Sequence, residues 1–403
     1  MAALPRVMAD AGHADAMAGA GHARVMADAG HAGVMAGAGH PRVAADAGHP
    51  GVMAGAGRPS TTPSAPARGL RGPVLAALAL LAAFAAALPA RAQPADGRTF
   101  LPFFNAPPDG VPINHPPALE LVIEGRAHRV EMDTGSTGVV LAARDIPHLD
   151  RLPQEGPGTL TYSSSGRIMR GHWVRLRLRI RGADGAEVHT RPMPVLAIDR
   201  IECQRTARFC RPSDRPRGVA MMGVGFARQK DHQPQGTPEH NPFLSLARQE
   251  VRRGYTVTRH GVWLGVTDAG TAGFSTVKLQ RAEGADDWSP APACLTLNQG
   301  PPACGSVLVD TGLTTMYLTI PAPDGGMARH LPDGARIGIG LLPGSGPTYT
   351  VTVGDRSDPA APDAITLVPH GPRPFVNTSV RFLNRFEYLY DADRGLVGYR
   401  PLR

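Results

Sequence analysis

Aromatic residues make up only 5% of the 403-residue chain, and no Lys/Arg-rich block is interleaved with them. A nucleic-acid surface built on base stacking and phosphate contacts is therefore not expected. Cysteine is scarce as well. The four present, Cys203, Cys210, Cys294 and Cys304, include no Cys-x-x-Cys pair, which disfavours zinc and thioredoxin-like sites. Long apolar runs are also missing: the uncharged stretch Val74 to Leu88 is 15 residues, short of the roughly 20 that span a bilayer as a helix. In contrast, 48 Gly and 40 Pro argue for many short strands and turns rather than a helical protein. With 42% hydrophobic residues, the chain can build one large or two moderate cores. The expected class is all-β, mostly β with short helices.

The N-terminal part does not belong to that fold. Residues 6–59 are three copies of an 18-residue unit, beginning at Arg6, Arg24 and Arg42. Their Ala and Gly offer little side chain to bury, so residues 1–59 read as a disordered low-complexity tract, or as an upstream stretch outside the natural protein. The recurring His13, His22, His31, His40 and His49 could hold a metal only weakly. Residues 60–92 read as an export signal: Arg68 and Arg71 precede the apolar run, and Ala90-Arg91-Ala92 sets small residues at the peptidase positions. Cleavage near Ala92/Gln93 would leave an exported, periplasmic or extracellular protein, and an uncleaved signal would leave a membrane anchor. Because a signal sits at the very N-terminus, translation is expected to begin near Met53. The formal charge of +8 falls to +5 on cleavage, since residues 1–92 carry seven Arg and four Asp.

An oxidising destination makes disulfides the expected state of the cysteines. Cys294 and Cys304 lie symmetrically about Asn298-Gln299-Gly300, so a hairpin turning there sets them face to face. That leaves Cys203 with Cys210.

The chemistry-bearing feature is a doublet. Asp133-Thr134-Gly135-Ser136-Thr137 returns, altered, as Asp310-Thr311-Gly312-Leu313-Thr314, each after one apolar run and before another. Two such copies in matching contexts are expected by chance on the order of once in a hundred chains of this length. A hairpin, Ala118 to Ile123 and Ala127 to Met132 about Glu124-Gly125, feeds the first copy; Leu295 to Leu297 and Ser306 to Val309 feed the second. Between the copies, Trp173 to Ile180 alternates as a strand with Val174, Leu176, Leu178 and Ile180 inward. Asn241-Pro242 predicts a helix to about Arg253, with Asn as N-cap, and His260 to Val266 predicts another strand.

In this order of parts the chain resembles the two-lobed pepsin-like aspartic peptidases over most of residues 100–403. Leu160-Thr161-Tyr162-Ser163-Ser164-Ser165-Gly166 resembles the family's flap hairpin, and Ala220-Met221-Met222-Gly223 the support under its first Asp loop. Phe382-Leu383, Tyr388 to Asp391 and Leu396 to Tyr399 resemble its closing strands. The resemblance implies a bilobal acid-protease fold, with lobes at 93–270 and 271–403 and the active-site cleft between them. It implies a catalytic pair, Asp133 and Asp310, supported by Thr134, Gly135, Ser136, Thr311, Gly312 and Gly223. Tyr162, Ser163 and Gly166 would meet substrate at the flap, and the threonines would bond across to the opposite loop. The implied protein is a monomeric exported endopeptidase of polypeptides, needing no cofactor or metal.

Two departures mark the second half. Leu313 stands where the family places a hydroxyl, which would deprive Asp310 of a hydrogen bond and push its titration upward. Asn377-Thr378-Ser379 stands where a second supporting Gly belongs. These changes suit either a divergent enzyme with a less acidic optimum or a peptide-binding module or inhibitor that has lost activity.

Overall fold

The computed structural model describes residues 96–402 apart from 163–165, 206, 208–209, 230–232, 343 and 345. The repeats, the stretch 60–92 expected to be an export signal, and Ser163 lie outside these residues. Among them there is no α-helix; the only helical elements are four 3-10 turns of three to five residues. Every described residue belongs to one compact unit.

Three sheets make up the fold. The nine-stranded first sheet runs, edge to edge, Gln154–Tyr162, Arg167–Leu176, Met193–Cys203, Thr137–Ala142, Ala220–Val224, Arg126–Asp133, Ala118–Ile123, Arg179–Arg181 and Glu187–His189. The seven-stranded second sheet runs Thr348–Thr352, Arg336–Gly340, Ala291–Leu297, Ala303–Leu308, Phe375–Asn377, Thr315–Thr319 and Ala364–Leu367. A six-stranded third sheet joins Thr99–Pro102, Gly261–Val266, Arg252–Val257, Phe386–Asp391, Leu396–Pro401 and Ser275–Lys278.

The first two sheets share a motif. In the first, the strand entering the Asp133 loop is antiparallel to Ala118–Ile123 and parallel to Ala220–Val224. The strand leaving the loop is antiparallel to Ala220–Val224 and parallel to Met193–Cys203. In the second, Ala303–Leu308 enters antiparallel to Ala291–Leu297 and parallel to Phe375–Asn377. Thr315–Thr319 leaves antiparallel to Phe375–Asn377 and parallel to Ala364–Leu367. Five strands thus recur in the same order and directions.

Local chemistry accounts for the pieces. Glu124 and Gly125 both take positive φ, the backbone of a two-residue hairpin turn. Thr137–Ala142, an interior strand of the sheet, is buried on both faces. Val139 and Leu141 enter the main core, while Val140 and Ala142 enter a smaller one with Leu160, Tyr162, Met169 and Met221. Cys294 stands directly across from Cys304 in its hairpin, and both expected disulfides form, 294–304 and 203–210.

The helix expected from Asn241 does not form. Asn241 does behave as a cap, its Oδ1 accepting the Phe243 N–H, but its Nδ2 donates to Val224 and Gly225 O and ties it to the first sheet. One turn later Leu246 bridges to Thr190, and Ser245 O and Ala247 N bond Arg191 and His189. Tertiary pairing overrides the start signal, and the chain enters the strand Arg252–Val257 instead. The stretch Trp173 to Ile180 is likewise two strands, broken where Leu178 turns to exchange hydrogen bonds with Thr190; all four inward residues are buried. Phe382 and Leu383 lie in the 3-10 turn Val380–Asn384 rather than in a strand.

Candidate active site

Both Asp-Thr-Gly loops bend back at the ends of their entering strands, and the fold brings them together. Asp133 is 2% exposed and Asp310 3%. Thr134 N donates to Thr311 Oγ1 at 3.1 Å, and Thr311 N to Thr134 Oγ1 at 3.0 Å. Each hydroxyl then donates to the strand entering the other loop: Thr134 Oγ1 to Val309 O at 2.6 Å, Thr311 Oγ1 to Met132 O at 2.7 Å. The arrangement has near-twofold symmetry. Burying four polar groups here is favourable only because each finds a partner in the other loop.

The glycines explain how close the loops come. A Cβ on Gly312 would lie 2.6 Å from Asp133 Oδ1, and one on Gly135 would fall inside the Asp310 carboxylate. Each carboxylate therefore rests on the glycine of the opposite loop. Any side chain there would push the two acids apart. Within its own loop, Asp133 Oδ1 accepts Gly135 N at 2.6 Å, and Asp310 Oδ1 accepts Gly312 N at 2.9 Å.

The remaining carboxylate oxygens differ. Asp133 Oδ2 accepts the Ser136 hydroxyl. Asp310 Oδ2 accepts Asn377 Nδ2 at 2.6 Å. The hydrogen bond expected to be lost at Leu313 is thus supplied from another strand, and Leu313 is a buried apolar residue. Burial, then the charge of Asp133, push the Asp310 carboxyl up to about 8; the Asn377 and Gly312 bonds and the Arg228 guanidinium pull the other way. The upward shift anticipated for Asp310 therefore comes from desolvation and its partner acid, not from a missing donor.

Gly223 stands opposite both Asp133 and Gly138 in the sheet, and a Cβ there would lie 2.7 Å from the backbone of Ser136 and Thr137. Gly225 N donates to Ser136 O, Thr137 Oγ1 to Gly225 O, and Gln233 Oε1 accepts Thr137 N. In the second sheet Leu308 pairs with Asn377. Carried two residues further, that register sets Ser379 opposite Asp310. Ser379 is fully buried at φ 66 and ψ 173, a region that essentially only glycine occupies, and its Oγ has no hydrogen-bond partner.

No protein-family model and no curated protein matches this chain. The chemistry rests on geometry alone. Of the flap residues, Tyr162 packs in the smaller core with Leu160, Met169 and Met221, and Gly166 is buried at the start of the returning segment. No group of three or more His, Cys, Asp or Glu suited to a metal ion occurs among the described residues. Two residues near the pair, Gln233 and Glu131, escaped the sequence reading, as did the role of Asn377 as donor to Asp310. Only Glu131 carried a local signal, as a charge inside the otherwise apolar run that ends at Asp133.

Proposed function

We propose that the protein is an exported aspartic endopeptidase, in which Asp133 and Asp310 share one proton and hydrolyse peptide bonds with water. The observation that supports this best is the mutual seat of the two carboxyls, each on the other loop's glycine and cross-tied by Thr134 and Thr311. Two acids held so close do not both ionise, so one serves as base while the other serves as acid. Asp310, whose carboxyl burial and the charge of Asp133 push upward, is the acid of the pair in this reading. Asp133 takes a proton from water as the oxygen adds to the scissile carbonyl carbon, and the Asp310 proton passes to the carbonyl oxygen. The gem-diol then collapses as one of its hydroxyls returns a proton to Asp310, the C–N bond breaks, and the amine leaves with the proton held by Asp133. Substrate lies extended across a cleft between lobes at 93–270 and 271–403, the pepsin-like arrangement that the recurring five-strand motif favours.

The test is hydrolysis of a denatured protein substrate by the purified protein from about pH 3 to 8, bracketing a carboxyl pair, with and without a pepstatin-type inhibitor. Inhibitable cleavage that both Asp133→Asn and Asp310→Asn abolish supports the reading. A folded protein that binds peptides yet cleaves none at any pH points to the binding module instead.

A further inference from the structure

Two residues before Asp133 the entering strand carries Glu131. Its neighbours Val130 and Met132 face the main core, so the period of two turns Glu131 to the opposite face, the side that carries Asp133. There it sits between Ala118 and Met221 on the adjoining strands. Met221 is part of the smaller core, packed with Leu160, Tyr162 and Met169 from the hairpin Gln154–Tyr162 and Arg167–Leu176. Glu131 therefore stands where an apolar floor meets the acid pair.

Its environment does not satisfy it. The residue is half-buried, yet Oε1 is shut off from solvent and accepts no hydrogen bond. Among the described residues it forms no ion pair. The charged groups acting on it are Asp133 and Asp310, both acids, and burial together with these holds its carboxyl well above the usual range. An apolar side chain at this position would leave no buried carboxyl oxygen without a partner. An unpartnered carboxyl beside two others is destabilising, and such a group calls for a partner that arrives from outside.

The fitting partner has a flexible apolar stem and a cationic end. A lysine or arginine side chain lays its methylenes along apolar surface and carries its charge beyond them. At about 3.3 Å per residue, Glu131 lies within two residues' reach of Asp133 along its strand. An extended substrate advances by a similar step, so the group reaching Glu131 belongs to a residue flanking the scissile bond. Resting on the peptidase reading above, we infer that Glu131 selects substrates with a lysine or arginine beside the bond that is cleaved.

The test uses matched peptides with Arg or Leu at one or other flanking position, with the cut site read by mass spectrometry. Wild-type protein should favour Arg over Leu at one position by about 10-fold or more in kcat/KM, the effect of one well-placed charge pair. Glu131→Gln should reduce that ratio to about 2 or less, and Glu131→Leu should invert it, one to two methyl-sized contacts being worth about this much. Because both peptides meet the same acid pair, the ratio is blind to any change in the pair's own titration. Thermal melting guards against misfolding: both variants remove an unpaired buried carboxyl and should melt no lower than wild type. Reduced-amide versions of the same peptides, measured by calorimetry, separate recognition from cleavage. Arg-selective binding without hydrolysis would sink the peptidase reading and leave the role of Glu131 standing. Hydrolysis with a ratio unchanged in Glu131→Gln would do the reverse, and neither binding nor cleavage would overturn both.

Discussion

At the first Asp-Thr-Gly loop, Asp133 Oδ2 takes its hydrogen bond from Ser136, three residues along the same loop; at the second, Asp310 Oδ2 takes it from Asn377, 67 residues away. The first loop is braced by Gly223, with a conformation open to any residue; the corresponding place in the second is held by Ser379 in a glycine-only conformation. One half is self-contained and relaxed. The other delegates its hydrogen bond to tertiary register and keeps a strained residue next to its acid. The same side-chain pair can therefore be held by local sequence or by distant pairing, and only the first leaves a motif behind.

The comparison breaks most sharply at the acids. If they work as a pair despite unlike supports, Asp133→Asn and Asp310→Asn should each lower kcat by at least about 10²–10⁴-fold, the usual worth of a proton-transferring group. Unequal losses would show that one half dominates. Next come the donors. Asn377→Ala and Ser136→Ala each leave a buried carboxylate oxygen unsupported, and each should cost about 1–3 kcal/mol in denaturant unfolding. Asn377→Ala should also move the alkaline limb of the pH–rate profile upward, because its bond favours ionised Asp310.

Glycine placement gives a reciprocal pair of effects, the first similar in size and the second smaller. Gly223→Ala should destabilise by about 1–3 kcal/mol, because the new methyl meets backbone that cannot yield. Ser379→Gly should stabilise. It releases about 1–3 kcal/mol of backbone strain, against roughly 0.5–1 kcal/mol of added freedom in the unfolded chain. A rise in melting temperature in the second half and a fall in the first would confirm that the asymmetry lies in the supports.

The gentlest test is a slope. Asp310 keeps its proton when folded up to about pH 8, whereas the unfolded chain loses it near 3.8. Folding thus takes up a proton between those values, so this group's stabilisation is complete below about pH 4 and fades as pH rises toward 8. Asp310→Asn should flatten that part of the curve, and the slope that persists belongs in part to Glu131, shifted in the same direction.

What could be read from the sequence was whatever a few neighbouring residues decide. Glu124-Gly125 announces its hairpin, Cys294 and Cys304 announce their bridge across a symmetric turn, and each Asp-Thr-Gly announces a loop. What failed was decided elsewhere. Asn241 sends the right capping signal, but residues 189–191 capture the chain one turn later. Asn377 cannot be recognised as the donor to Asp310 without knowing which strand lies beside Ala303–Leu308. Leu313 looked like a loss because its replacement sits in a different sheet position. Of the third sheet the sequence shows single strands, at His260 to Val266, Tyr388 to Asp391 and Leu396 to Tyr399, but not their pairing, since they come from separated parts of the chain.

That last sheet has a consequence for how the protein is made. Its strands leave the ribosome in three instalments: first Thr99–Pro102, then Arg252–Lys278, and finally Phe386–Pro401. Both acids have been synthesised by residue 310, but Asn377 and the two closing strands have not. A nascent or prematurely ended chain therefore holds both acids of the pair without Asn377 and without the closing strands of the third sheet. The order of synthesis thus makes the Asn377 bond to Asp310 one of the last contacts of the pair that can form.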